Sequence, residues 1–418
     1  GIKQCVNTPR QKSTKKKLPS LASMFSNQYA ELIVDGPVKC LEAVHGDKLE
    51  SRFLVGASSL HDANELTVLR FHAELNELGI DAKLDHPSGP VGVLCTSPTD
   101  KCLLLSAAEE NPTVNLWRVP DAVMEKSDDL DYSPDGGGNA EAESYSLELV
   151  TTLPHDPDSH IVDISWRDKS LAWDEHDGVH ESGDVMTMDR QGHVTMWDIE
   201  TVQSVRSENI RDSSQTLPPQ MAWDPHNVAC IAATAGKSIH ILDWRTDTSD
   251  STGTCGSSFL AHRYGVTSLD FNPNKPNTIV TAGQDGLLKF WDLRNTKRPT
   301  LTARGGHSHY AWRVQYNPSH DQLVVSTGTD GVVNLWRVSS ISSAPLLALG
   351  NNNNQNSNND SSSETSASDV RISRFEHGDS VYGMSWGAAD AWIYATAAYD
   401  GKVVLHHVPS KEKYKILL

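Results

Sequence analysis

Three consecutive stretches of this sequence are copies of one pattern, and an internal repeat constrains a fold more tightly than any local propensity. The clearest copy is AHRYGVTSLDFNPNKPNTIVTAGQDGLLKFWD, from Ala261 to Asp292. It reads as a short strand from Val266 to Phe271, an Asn-Pro turn, a β-branched strand from Thr278 to Thr281, and a tight turn at Asp285-Gly286. A third strand then ends at Trp291. Alternating apolar residues joined by Asp-Gly are a strong hairpin signal. The next copy, GHSHYAWRVQYNPSHDQLVVSTGTDGVVNLWR, places His307, Asp330-Gly331 and Trp336 at matching offsets. A third, EHGDSVYGMSWGAADAWIYATAAYDGKVVLHH, supplies His377 and Asp400-Gly401, with His406 where the tryptophan should stand.

Upstream, Trp117 in VNLWR, Trp197-Asp198 in VTMWD and Trp244 in HILDWR mark three more third strands. The steps from Trp197 to Trp244, Trp291 and Trp336 are 47, 47 and 45 residues, the spacing of four-stranded propeller blades. One step back from Trp117 falls ELTVLRFH, Glu65–His72, preceded by RFLVGASS. The expectation is an all-β protein: a single β-propeller of about seven four-stranded blades over residues 34–418. Residues 1–33 form a basic and polar arm, mostly disordered, with a short helix around residues 20–30. Each blade is a small antiparallel sheet buried on both faces, so its middle strands should be almost continuously apolar. Residues 121–148, rich in Asp, Glu, Ser and Gly, and the low-complexity Asn351–Ser368 do not fit a blade and read as disordered polar loop insertions. An open ring would expose sheet edges, and the terminal YKILL stands where the fourth strand of the last blade is needed. Ile416–Leu418 are therefore expected in strand pairing.

The bulk numbers exclude several function classes. A net charge of -18 argues against general binding to nucleic acid, whose phosphates require a cationic surface. The basic stretch from Arg10 to Lys17 is the local exception and reads as a solvated tail. No apolar run of about 18 residues is present, so no direct membrane insertion is expected. The six cysteines (Cys5, Cys40, Cys95, Cys102, Cys230, Cys255) are scattered without ligand spacing and suit a reducing compartment. His176 and His180, with Glu181, Asp184 and His193 nearby, superficially suggest a metal. The intervening Asp-Gly makes that stretch a loop rather than a helix face, so no metal is expected. Phosphate-loop, nucleophile-elbow and zincin signatures do not occur. No catalytic residue and no cofactor are expected.

The repeat has the character of WD40 repeats. That resemblance implies that the loop His, the turn Asp and the third-strand Trp share a hydrogen-bonded chain with a Ser or Thr of the second strand. The residues in question are His262, Thr281, Asp285 and Trp291; His307, Ser326, Asp330 and Trp336; and His377 with Asp400. A His/Ser/Asp set also suggests a hydrolase, but one recurring in successive units is scaffold. Function then falls to the rim. Taking Val266, Ala311 and Val381 as equivalent places Tyr264, Tyr310, Trp312 and Tyr382 at or beside the loop end of the first strands, with Tyr399 just before the last turn Asp. Aromatics gathered on one rim would anchor a protein partner; packing between blades is the competing role for Trp312 and Tyr382.

Longer segments narrow the resemblance. HSHYAWRVQYNPSHDQLVVSTGTDGVVNLW, VSSISSAPL, FEHGDSVYGMSW, AADAWIYATAAYDGKV and KYKILL, with RFLVGASSL near the start, resemble the EARP- and GARP-complex-interacting WD40 repeat protein family. The resemblance implies a cytoplasmic adaptor, peripheral at endosomes and the trans-Golgi network. There it would associate with multisubunit vesicle-tethering complexes in endosomal recycling and retrograde transport. It brings no catalytic residues. The alternative is a substrate receptor of a cullin–RING ubiquitin ligase: Trp291, Asp292 and Arg294 match the WDxR box that docks the ligase's propeller adaptor, Arg294 making a charge-assisted contact.

Overall fold

The computed structural model describes residues 29–57, 64–109, 111–126, 143–167, 185–210, 217–227, 229–244, 256–344 and 369–417. They form seven antiparallel blades in a ring, a seven-bladed β-propeller. In chain order the blades begin with the innermost strands Val38–Ala43, Val91–Thr96, Ile161–Trp166, Met221–Trp223, Val266–Phe271, Ala311–Tyr316 and Val381–Trp386. Second strands such as Thr278–Gly283, Leu323–Gly328 and Ile393–Ala398 are buried along their whole length. Small and β-branched residues there let adjacent blades approach face to face. The core is a set of clusters between neighbouring blades. One of them joins Val280, Phe290 and Leu288 of blade 5 to Val314, Tyr316 and Trp336 of blade 6.

The Asp-Gly turns are structural necessities. Gly331 and Gly401 have φ of 74° and 87°, a region open to glycine at little cost. A Cβ at Gly331 would stand 2.9 Å from the His377 carbonyl oxygen, and one at Gly401 would stand 2.3 Å from that of Val34. Each turn is a seat for the loop entering the next blade.

Ring closure differs from the expectation. The fourth strand of blade 7 is Tyr29–Ile33, paired antiparallel with Lys402–His407 from Tyr29↔His406 to Ile33↔Lys402. Residues 29–33, expected to belong to the N-terminal arm, thus close the ring. The helix expected around residues 20–30 is not continued at Tyr29 and Ala30, which are strand; residues 1–28 lie outside the described set. Of the terminal YKILL, Tyr414–Leu417 is not strand, and Leu418 lies outside the described residues. Ser410–Leu417 is a helix, because SKEKYKIL places Glu412 and Ile416 one helical turn apart on a single face. Glu412 is buried in an ion pair with Arg337, and Ile416 packs on the cluster of blades 6 and 7.

The described residues of the 121–148 insertion are structured rather than disordered, and its end rejoins blade 2. Asp121–Met124 is a short helix, and Glu148–Leu153 is the fourth strand of blade 2. Ser144–Ser146 pairs in parallel with Glu77–Asp85, adding a fifth strand to blade 1. Four buried charges hold this crossing. Asp81 accepts from Arg52 Nε at 3.3 Å and Arg70 Nε at 3.1 Å, and Asp47 pairs with Arg52. Both guanidinium groups also donate to the Lys126 carbonyl oxygen at the end of the helical segment, at 2.7 and 2.9 Å. The remainder of the insertion, 127–142, and the Asn351–Ser368 stretch lie outside the described residues.

Candidate protein-binding face

The repeated His, Ser or Thr and Trp residues meet inside the blades. His262 Nδ1 is 2.8 Å from Asp285, its Nε2 is 2.8 Å from Thr281 Oγ1, and Trp291 Nε1 donates to that same hydroxyl at 3.0 Å. Because the carboxylate accepts from Nδ1–H, the network assigns the free lone pair to Nε2 and Thr281 O–H as its donor. His307, Ser326, Asp330 and Trp336 repeat this at 2.9, 3.2 and 3.0 Å. Burial pushes the Asp330 carboxyl up, but hydrogen bonds from His307 and the Ser308 N–H outweigh it and hold the carboxyl below the usual range. In blade 7 the chain departs from the pattern. His377 Nε2 is 3.0 Å from Thr396 Oγ1, which is 2.9 Å from His406 Nε2, while His377 Nδ1 is buried with no hydrogen-bond partner. Asp400 instead accepts the Lys402 N–H at 3.1 Å.

Two further chains escaped the sequence reading: His86–Ser106–Trp117 and His155–Thr187–Trp197. A signal existed. In each of these sets the hydroxyl residue stands ten or eleven positions before the tryptophan. Among the described residues blade 4 shows no such chain: Trp244 lies just past the third strand, Ser238–Asp243, with the Arg206 guanidinium 5.5 Å over its ring.

The connectivity Asp330–His307–Ser326 is that of a hydrolase triad, yet Ser326 is fully buried and its oxygen already accepts the indole N–H. This serine cannot meet a substrate. Among the described residues no three His, Cys, Asp or Glu are placed to hold a metal. Of the suspected cluster only His193 is described, with Nδ1 2.8 Å from Asp189; His176, His180, Glu181 and Asp184 lie outside the described residues. Cys40, Cys95, Cys102 and Cys230 form no disulfide among the described residues, and burial pushes Cys40 up to about 12.

The rim owes its form to a repeated backbone irregularity. In six of the seven first strands the pairing register slips around the second residue, which is Lys39, Gly92, Val162, Thr267, Trp312 or Tyr382. A β-bulge takes one residue out of the ladder and re-aims its side chain. These residues ring one end of the propeller axis. In blades 6 and 7 the bulged residues are both aromatic, and the Trp312 and Tyr382 rings meet edge to face at 5.3 Å. Tyr382 in turn contacts Tyr399 at 6.0 Å, and Tyr399 is 40% exposed. Trp312 and Tyr382 are half-buried, packing on each other while keeping one side open.

The other two candidates stand apart from this trio. Tyr310 stacks on His309 at 4.2 Å, and Tyr264, 56% exposed, lies 5.4 Å beneath the Arg263 guanidinium. On the rim of blades 1 and 2, Lys39 and Glu109 form an exposed pair at 2.5 Å. At the other end of blade 5, Arg294 is 68% exposed but doubly bonded to Asp292, Nε at 2.8 Å and a terminal nitrogen at 2.7 Å. The neighbouring Trp291 is buried in the blade. Of the three WDxR residues, only Asp292 and Arg294 reach the surface.

Comparison with known proteins agrees with this architecture. Residues 156–336 match the EIPR1 beta-propeller family model. The chain is 30% identical over 382 residues to EARP and GARP complex-interacting protein 1 of Homo sapiens, covering 88% of this chain and 93% of that one. It is 26% identical over 399 residues to EARP-interacting protein 1 of Caenorhabditis elegans, covering 92% and 97%. It is 28% identical over 391 residues to WD repeat-containing protein DWA2 of Arabidopsis thaliana, covering 88% and 93%. No helix among the described residues is long and apolar enough to cross a membrane. With 30% identity across 88% of its length to relatives that it covers to 93%, and with a propeller fold, the chain belongs to the EARP and GARP complex-interacting protein family.

Proposed function

We propose that this chain is a non-catalytic adaptor that associates with the EARP and GARP complexes and supports endosomal recycling and endosome-to-Golgi retrograde transport from the cytoplasmic side of those membranes. The observation that carries the reading is the 30% identity, over 93% of its length, to a protein named for its interaction with these complexes. The structure is consistent with it in one specific respect. The His, Asp, Ser, Thr and Trp residues that resemble a catalytic set lie inside the blades, while exposed aromatic rings collect on one rim. Large rings with one open side are typical anchors of protein interfaces. Nucleic acid and lipid insertion have no part in this reading.

The test is affinity purification of the tagged chain from its own cells beside two variants. One carries Tyr264→Ala, Tyr310→Ala and Tyr399→Ala together; the other carries Arg294→Ala. Tethering-complex subunits should be recovered with the wild type and Arg294→Ala, and lost with the rim variant at unchanged folding. Failure to recover those subunits with wild type would overturn the adaptor reading. Loss of a cullin–RING adaptor from Arg294→Ala alone would establish the ligase-receptor alternative.

A further inference from the structure

An axial cavity of about 620 Å3 is lined by the first strands of all seven blades. One residue inward from the bulges, its wall is built by Cys40, Val93, Asp163, Ser268, Arg313 and Gly383, the third residues of six of those strands. Apart from Asp163 and Arg313 these are small, and Gly383, in the blade next to Arg313, contributes no side chain. Arg313, half-buried, belongs to the cavity wall.

The lining carboxylates are already engaged. Asp163 accepts the Met221 N–H at 2.7 Å and its neighbour Ile164 N–H at 3.1 Å. Asp270 accepts the Tyr316 N–H at 2.8 Å, Glu42 is 2.9 Å from His45 Nε2, and Asp224 accepts the His226 N–H at 2.9 Å. These bonds stitch blade to blade or fix turns. Three Lys and Arg side chains also line the cavity: the Arg167 guanidinium lies 5.5 Å over the Trp223 ring, while Lys48 and Arg313 make no hydrogen bond and no ion pair among the described residues. Asp163 feels its charge from a distance, but burial still pushes that carboxyl up to about 6. A half-buried guanidinium with five unused donors is costly to desolvate and suited to a planar, bidentate acceptor. Immediately outside it stand Trp312, its chain neighbour, and Tyr382.

We propose that Arg313 anchors a carboxylate of an acidic peptide segment of the protein partner, which enters the axial cavity past Trp312 and Tyr382. The carboxylate would take the guanidinium fork, and flanking side chains would pack on the two rings. This rests on the adaptor reading for the identity of the partner, but not for the existence of the site.

Two measurements separate the two claims. In the first, labelled full-length protein is applied to arrays of short mixed-sequence peptides that share a central Glu, Gln or Lys. Glu-centred peptides should be retained preferentially by the wild type, and Arg313→Gln should weaken that retention about tenfold or more. Equal retention of Glu- and Gln-centred peptides, or a preference for Lys through Asp163, Asp270 and Glu42, overturns the proposal. That comparison needs only the wild-type chain, so it holds even where the variant does not fold. In the second, tethering complex is captured by wild type and by Arg313→Gln of equal melting temperature. Undiminished capture by the variant overturns the proposal while leaving the adaptor reading intact. No capture by either, with the Glu preference retained, leaves the site standing and removes the adaptor reading.

Discussion

Replacing Asp81 by Ala would test whether the buried charge cluster of blade 1 holds the insertion crossing in place. Asp81 is 5% exposed at its side chain and receives two guanidinium groups, from Arg52 and Arg70, which are 2% and 8% exposed. Removing the carboxylate leaves Arg52 with Asp47, but takes from Arg70 a buried carboxylate partner. Breaking one side of a buried ion pair costs about 3–5 kcal/mol, because the remaining charge stays desolvated. The exposed Lys39–Glu109 pair offers the contrast, and Glu109→Ala should cost less than about 1 kcal/mol. The assay is urea unfolding followed by tryptophan fluorescence, with amide exchange reporting on Arg52–Ala57 and Ser144–Ser146. Asp81→Ala should lower the midpoint and expose both segments. The double variant Arg70→Leu/Asp81→Leu, which keeps the Arg52–Asp47 pair, should recover at least half of the loss, since a buried pair exchanged for apolar groups is often neutral. A midpoint for Asp81→Ala within about 1 kcal/mol of wild type would refute the assignment of this cluster as the clamp.

Other outcomes follow from the same geometry. Deleting residues through Ile33 should accelerate amide exchange across Lys402–His407, whereas removing Ser410–Leu417 should leave that strand protected. Thr281→Val strips the shared hydroxyl from His262 and Trp291, so it should destabilise by about 1–3 kcal/mol in thermal unfolding. Burial, aided by the Lys402 charge, pushes His377 down to about 4, below its ordinary 6.5. A depressed base is neutral when folded, so its contribution is present above pH 6.5 and lost as pH falls towards 4. The loss is on the order of 3 kcal/mol, and His377→Gln should flatten that limb of the stability curve. Asp270 has the opposite sign: burial pushes its carboxyl up to about 7, so its contribution is greatest below about pH 4 and is lost as pH rises through 7. Asp270→Asn should therefore gain on wild type as pH climbs through that window in paired urea titrations.

The ring and most of its blades were legible because the spacing of Trp197, Trp291 and Trp336 and the Asp-Gly turns are local chemistry repeated at a fixed period. The closing strand was not. Tyr29–Ile33 alternates exposed and buried like any outer strand and stands apart from every repeat, so the apolar KYKILL looked the better candidate. The i, i+4 spacing of Ile416 with Glu412, the residue just before that run, was the sign of a helix. Arginines inside the apolar runs RFLVGA and ELTVLRFH were the visible trace of the blade 1 ion cluster, since a charge in a buried strand requires a partner. The aromatic trio was only half legible. Equivalence of the first strands placed Trp312 and Tyr382 on one rim, but their contact depends on bulges in adjacent blades, which no residue type announces. Tyr264 and Tyr310 were grouped with them by sequence offset, and the structure gives each a separate neighbour. Arg313 passed unnoticed because an unpaired charge is a property of its surroundings.

The measurement closest to the central claim is amide exchange on the purified chain with and without purified tethering complex. Binding should slow exchange at the entrances of the first strands of blades 6 and 7, around Trp312 and Tyr382, and at the turn after Tyr399. Complex formation that protects only the opposite end, around Asp292 and Arg294, would contradict the placement of the binding face. Absence of any complex would contradict the adaptor itself.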